Sequence, residues 1–213
     1  VALQRARLIE HYLAKQKMGR AMQIARDIQQ GLLPAAAPTI EGFEVAGMSD
    51  PADETGGDTY DFLAAGDGRW MVTVADASGH GIGPALVIAE ARAMIRALGH
   101  WEGKVPDVLA TVNRLLAADL DGGRFVTCFL GLLDATEQTL RFASAGHGPI
   151  LLYTAATGAF QELAATDLPL GVLDDTEYAE VITHTFAPGD MAIVTTDGFF
   201  EASDRDGKEY GIN

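Results

Sequence analysis

The sequence has little cysteine, little positive charge and no long apolar run, and each shortage closes off a class of function. Cys128 is the single cysteine among 213 residues, so no disulfide framework exists and a reducing compartment, the cytoplasm, is expected. Set within F-V-T-C-F-L-G, it reads as a small buried thiol. No apolar stretch approaches the roughly 18–20 residues of a membrane-spanning helix, and nothing at the start reads as a signal peptide. Lys and Arg number 15 against 30 Asp and Glu, a formal charge of −15, which argues against nucleic acid or an anionic membrane as main partner. H-E-x-x-H, paired cysteines, a G-x-x-x-x-G-K phosphate loop and G-x-S-x-G are all missing, so zinc, nucleotide-loop and serine-hydrolase chemistries lose their signatures. Ser78 has no base–acid series to make it a nucleophile.

Hydrophobic residues make up 48% of the chain, enough for the core of one domain, or of one domain with an appendage. The 24 glycines predict tight turns and close backbone approaches. The surplus carboxylates are open to neutralisation by bound cations. A first residue of Val rather than Met predicts a piece of a longer protein, with part of it preceding Val1.

Residues 2–33 read as one long helix, rich in Ala, Leu, Gln, Arg and Met and free of proline before Pro34. Met18, Met22, Ala25 and Leu32 follow a 3–4 spacing, with Gln29 in the remaining seam position; Lys15 and His11 interrupt the same seam upstream. Two readings stand: a helix whose Gln23–Leu33 half packs on its own domain, or a linker that pairs with a second copy. Residues 84–98 and 106–119 read as two further helices, the first with Pro84 at its start and apolar nearly all round, hence buried. Strands are predicted at 43–48, 69–75, 125–134, 139–145, 150–154, 160–163, 178–186 and 191–196. Strands, two consecutive helices, then many strands is an α+β order, compatible with two antiparallel sheets layered with helices.

Three acids stand where strands meet glycines. Asp58 follows Gly56-Gly57, Asp76 ends M-V-T-V-A, and Asp197 follows A-I-V-T-T and precedes Gly198. Asp and Gly are ordinary turn residues, but an apolar strand also fixes its terminal side chain and glycine leaves room beside it. Clustered carboxylates of this kind suit Mg²⁺ or Mn²⁺, and two such ions sharing one acid activate water for in-line displacement at phosphorus. Without a cation, converging carboxylates would raise each other's pKa values. His80, in S-G-H-G, either protonates a leaving alkoxide or caps the loop before the next helix. His147, in A-G-H-G-P, either orients a loop or reaches a phosphate. His11, His100 and His184 have no supporting context.

The ordered series D-E-T-G-G-D-T-Y-D-F, V-A-D-A-S-G-H-G-I-G-P-A-L, R-F-V-T-C-F-L-G-L-L-D, A-S-A-G-H-G-P, L-P-L-G-V, P-G-D-M-A-I-V-T-T-D-G-F-F-E-A and Y-G resembles the bacterial metal-dependent serine/threonine phosphatases of the protein phosphatase 2C superfamily. The branch it resembles is that of stage II sporulation protein E and the sigma-factor regulatory phosphatases. I-Q-Q-G-L-L-P, closing the first helix, is similar to this branch too. The resemblance spans roughly residues 20–213. It implies an α-β-β-α sandwich of two antiparallel sheets flanked by helices, preceded by a linker helix at 1–33, with the phosphatase domain at 34–213. It implies two Mn²⁺ or Mg²⁺ ions: Asp76 bridging both, the Ala77 carbonyl on the second, Asp197 a direct ligand, and Asp58 holding metal-bound waters or binding weakly. Metal-activated water then attacks phosphoserine or phosphothreonine with no phosphoenzyme. The implied substrate is a phosphorylated anti-sigma-factor antagonist, the implied control an upstream sensor relayed by the first helix, which also offers a homodimer contact.

One departure bears on this reading. The family pattern continues with a helix and a strand carrying a D-D-I-T-like motif and another metal-binding aspartate, and this sequence has none before Asn213. The expectation is a C-terminally truncated domain; the alternative is a regulatory or binding module of the same fold with weak or no catalysis. Arg124 and Arg141 are candidate phosphate contacts without a motif to assign them. A purely structural dimerisation fragment would leave the strand-end acids unexplained.

Overall fold

The computed structural model describes residues 2–51, 55–99, 104–120, 123–178, 181–202, 204 and 211. Helix α1 (Ala2–Leu32) runs before an irregular stretch; β1 (Asp58–Ala64) and β2 (Arg69–Ala77) form a hairpin. Helices α2 (Ile82–Gly99) and α3 (Val105–Asp119) follow, then β3 (Val126–Asp134), β4 (Thr139–Ala145), β5 (Ile150–Thr154), β6 (Ala159–Leu163), β7 (Ile182–Thr185), β8 (Met191–Val194) and a 3₁₀ turn at Asp197–Phe199. The strands make two antiparallel sheets, one in the order β1-β2-β3-β4-β7 and one in the order β6-β5-β8. This is the α+β sandwich expected from the element order.

Period-two alternation along β3 and β4 builds the layers. Cys128, Leu130, Ala143 and Ala145 point toward α2 and α3, packing with Ile88, Ile95, Leu109 and Val112. Phe129, Leu133, Leu140 and Phe142 point the other way, onto Ile150 and Leu152 of the second sheet. Each fully buried side chain of this size contributes about 1.5–3 kcal/mol relative to exposure. Cys128 is fully buried, as its apolar setting predicts, and burial pushes its thiol up to about 12.

Four expectations need correction. No strand covers 43–48: only an isolated bridge joins Ile40 and Phe43, and Phe43 and Val45 bury against the inter-sheet core without a ladder neighbour. In its place β1 forms where none was predicted, because Asp58 and Asp61 interrupt the apolar signal of D-T-Y-D-F-L-A. The 178–186 strand contracts to Ile182–Thr185, with 179–180 outside the described residues. Helix α2 is not buried all round: Ile82 and Leu86 are exposed while Ala85, Ile88, Ala91 and Ile95 are covered. Pro84 sits in its first turn, where no intrahelical N–H bond is lost.

Among the described residues, helix α1 is covered toward its C-terminal end. Met22, Ala25, Gln29 and Leu32 of the seam are half-buried, and α1 packs on α2. Upstream, Ile9, Tyr12, Leu13 and Met18 are exposed, as are Ile24 and Ile28 on another face.

Candidate metal centre

The hairpin register sets Asp58 directly opposite Asp76. Opposed residues of antiparallel strands project from the same face, where like charges repel. Thr59, Asp61 and Leu63 of β1 are buried, and Leu63 packs in the core beneath the helices. Asp58 and Asp76 therefore face the other way, with Val72 and Val74, toward the second sheet. The row continues onto β3, where Thr127 stands opposite Asp76.

The second sheet reaches this row through the segment after β8. Thr196 Oγ1 donates to Asp58 Oδ2 at 3.2 Å. Asp197 opens the 3₁₀ turn, and its charge acts on both other acids. Burial, then the charges of Asp58 and Asp197, push the Asp76 carboxyl up to about 7. Burial also raises Asp58, against the lowering effect of the Thr196 bond. Both shifts mark carboxylates that lack a compensating positive charge.

Gly57 clears the space beside them. Its carbonyl accepts the Ala77 N–H at 3.0 Å. A Cβ there would stand 2.6 Å from both the Ala77 carbonyl oxygen and Asp76 Oδ1, so only glycine fits. Asp58 Oδ1 is buried and without a hydrogen-bond partner. An orphaned carboxylate oxygen, a second carboxylate and a backbone carbonyl form an all-oxygen donor set, the kind hard divalent cations take. Asp197 does not close this into a finished cage: among the described residues, no group of three or more His, Cys, Asp or Glu side chains is placed to hold an ion.

The remaining predicted residues separate clearly. His80 is exposed in the turn between β2 and α2. Ser78 ties that turn to the residue just before β3: its N–H donates to the Phe125 carbonyl and its Oγ accepts the Phe125 N–H, as suits a structural serine. His147 is buried beside the row, its Nδ1 2.9 Å from Thr127 Oγ1. Ser144 Oγ donates to the His147 carbonyl and accepts its N–H. Burial pushes the His147 ring down to about 4, with the Thr195 backbone and the Asp197 charge pulling the other way. Arg124 lies beside Gly83 in the first turn of α2. Arg141 pairs in register with Leu132, which pairs with Met71; at the rise of a strand that is about 17 Å from the level of Asp76. Asp53, Glu54 and Tyr210 of the quoted motifs, and His100, lie outside the described residues.

Two features escaped the sequence reading. Asp61 is buried with its Oδ2 3.0 Å from Arg92 and 3.2 Å from Arg96; two arginines spaced i, i+4 on a mostly apolar helix were the available signal. The Gln29 side chain bonds Gly56 through both its donor and its acceptor, and a polar residue in an apolar seam was the clue there.

Comparison with known proteins follows the same lines. The family model described as stage II sporulation protein E (SpoIIE) matches residues 66–213. Phosphoserine phosphatase RsbU of Bacillus subtilis (strain 168) is 28% identical over 193 residues, covering 91% of this chain and 57% of its own length. The SiaA-PP2C domain of Pseudomonas aeruginosa superposes with a TM-score of 0.76 at 26% identity, over 93% of this chain and 79% of that one. The structure of the RsbU and RsbW domains of Rv1364c from Mycobacterium tuberculosis superposes with a TM-score of 0.62 at 32% identity, over 74% of this chain and 43% of that one. The chain spans 57% or less of the curated relatives it matches.

Proposed function

Since this chain belongs to the stage II sporulation protein E (SpoIIE) family, we propose that it hydrolyses phosphoserine or phosphothreonine on a regulatory protein, using Mn²⁺ or Mg²⁺. The observation that carries this reading is the Asp58–Asp76 pair, opposed across one hairpin beside a carbonyl that Gly57 leaves open. Asp76 and the Ala77 carbonyl would be the central ligands, with Asp58 and Asp197 flanking them, for two ions. When bound, such ions lower the pKa of water and neutralise charge on a phosphoryl group.

The chain's own residues do the rest. Thr196 orients Asp58 by its hydrogen bond. The hairpin holds the two carboxylates at one level, so that neither has to be reordered when charge builds up. His80, exposed in the turn that follows Asp76 and Ala77, gives a proton to the departing serine or threonine oxygen. The substrate is a phosphorylated anti-sigma-factor antagonist, and work in the cytoplasm suits the single buried thiol; no described helix is long and apolar enough to cross a membrane. The name of the relative RsbU, a phosphoserine phosphatase, supports the substrate chemistry. Helix α1 carries control from a sensor and pairs with a second copy; the exposed Ile9, Tyr12 and Leu13 support that pairing.

The test is Mn²⁺-dependent release of phosphate from a phosphorylated antagonist domain. Asp76→Asn is expected to lower the rate at least about a hundredfold. Undiminished release by that variant would remove Asp76 from the centre.

A further inference from the structure

The stretch that delivers Asp58 is Gly56-Gly57, a pair of the residue type with the greatest backbone freedom. Left alone, such a pair would aim Asp58 poorly. Gly57 is held from one side, its carbonyl accepting the Ala77 N–H of β2 at 3.0 Å. Gly56 is held by a different element, and by a side chain. Gln29 Nε2 donates to the Gly56 carbonyl at 2.6 Å, and the Gly56 N–H donates to Gln29 Oε1 at 3.1 Å. One carboxamide thus bonds the donor and the acceptor of a single residue. A neighbouring strand does the same to a hydrogen-bonded residue in an antiparallel ladder.

We propose that Gln29 is a positioning residue for the metal centre: its carboxamide stands in for a missing strand neighbour and fixes the backbone that aims Asp58. The proposal rests on the metal-dependent reading above. The surroundings favour a fixed clamp over a chance contact. Gln29 is half-buried in the α1 seam, and it lines a small cavity with Leu32, Asp58, Ile88 and Arg92 between α1, β1 and α2. The two glycine peptides are therefore gripped alternately, Gly56 by α1 and Gly57 by β2, immediately before the first ligand. A residue that orients a metal ligand without touching the metal typically changes metal affinity about 10–100-fold when removed.

Gln29→Met keeps the length and the packing of the side chain and removes both hydrogen bonds. Gln30→Ala, at the exposed neighbouring position, is the control for helix α1. Two readouts are needed. Amide hydrogen exchange of Gly56, resolved by NMR in the metal-free protein, reads the clamp itself. Calorimetric titration with Mn²⁺ reads the consequence. Gln29→Met is expected to speed Gly56 exchange at least about tenfold and weaken Mn²⁺ binding about tenfold, with the circular dichroism and thermal midpoint of the control. Unchanged Gly56 exchange overturns the clamp. Faster exchange with wild-type Mn²⁺ affinity overturns the positioning role. A variant that loses its helical signal or melts far below the control also counts against it, since Gln29 would then be holding the fold and not the aim of Asp58. Failure of the metal reading has a different mark: Asp76→Asn would bind Mn²⁺ as wild type does, whatever Gly56 exchange shows.

Discussion

Asp76 makes the folded chain unstable toward rising pH as long as no cation neutralises it. Its carboxyl titrates near 7 in the fold against 3.8 in the unfolded chain, so the folded state holds the proton more tightly. That contribution is complete below about 3.8 and is lost as pH climbs to about 7. Asp76→Asn removes the loss. In chelator at pH 8 the variant is expected to resist urea better than wild type by about 1–2 kcal/mol, allowing for solvent screening of a partly exposed group. The gap should close as the pH approaches 4, and urea titrations across that range measure it. His147 runs the opposite way, its stabilisation complete above about 6.5 and falling as pH drops to about 4; it is common to both proteins and cancels in the difference. A substitution at a proposed metal ligand that stabilises the cation-free fold would mark a charge cluster suited to a cation. Asp58 and Asp76 were legible as residues, because strand-end acids beside glycine stand out in any sequence. Their opposition was not, because register is set by pairing and no single strand encodes it.

Among the elements, β1 and α2 are joined by the Asp61 carboxylate with Arg92 and Arg96. Arg92 and Asp61 are both buried, so removing Arg92 leaves the buried Asp61 carboxylate with the more exposed Arg96 alone. Arg92→Met is expected to cost about 3 kcal/mol of unfolding free energy in guanidinium titrations, whereas Asp61→Asn combined with Arg92→Met recovers part of it. The same elements show what could be read in advance. All three helices were predicted to within two residues of their observed ends, because each has a long periodic pattern and a proline at or near a boundary. Strands β3, β4 and β5 were equally plain, being short segments dominated by residues that bury. The hairpin strand β1 was hidden by its acids: Asp58, facing the other carboxylate, and Asp61, paired with Arg92, interrupt the apolar signal. At 43–48 the error ran the other way. Phe43 and Val45 alternate because they bury, and burial alone does not supply a ladder.

For the whole molecule the governing quantity is a formal charge of −15. Self-repulsion on that scale weakens the compact state. Raising the salt from about 10 mM to about 1 M shrinks the screening length from about 30 Å to about 3 Å, and the thermal midpoint of the metal-free protein is expected to rise over that range. A midpoint that falls steadily would mean that favourable ion pairs outweigh the repulsion. The scarcity of Lys and Arg was fully visible in the sequence. Where the negative charge concentrates was not, since it depends on two sheets meeting at the Thr196–Asp58 contact.

That contact also sets an order of events. Asp58 and Asp76 belong to one hairpin and meet by a short closure through the turn at Ala65–Arg69. Thr196 and Asp58 are 138 positions apart, and contacts so distant form late, after the loop between them has closed. Two repelling acids are therefore brought together early, and the segment that bonds one of them arrives last. A divalent cation able to settle on the hairpin before the second sheet docks would enter the folding rate itself, as well as the depth of the final state.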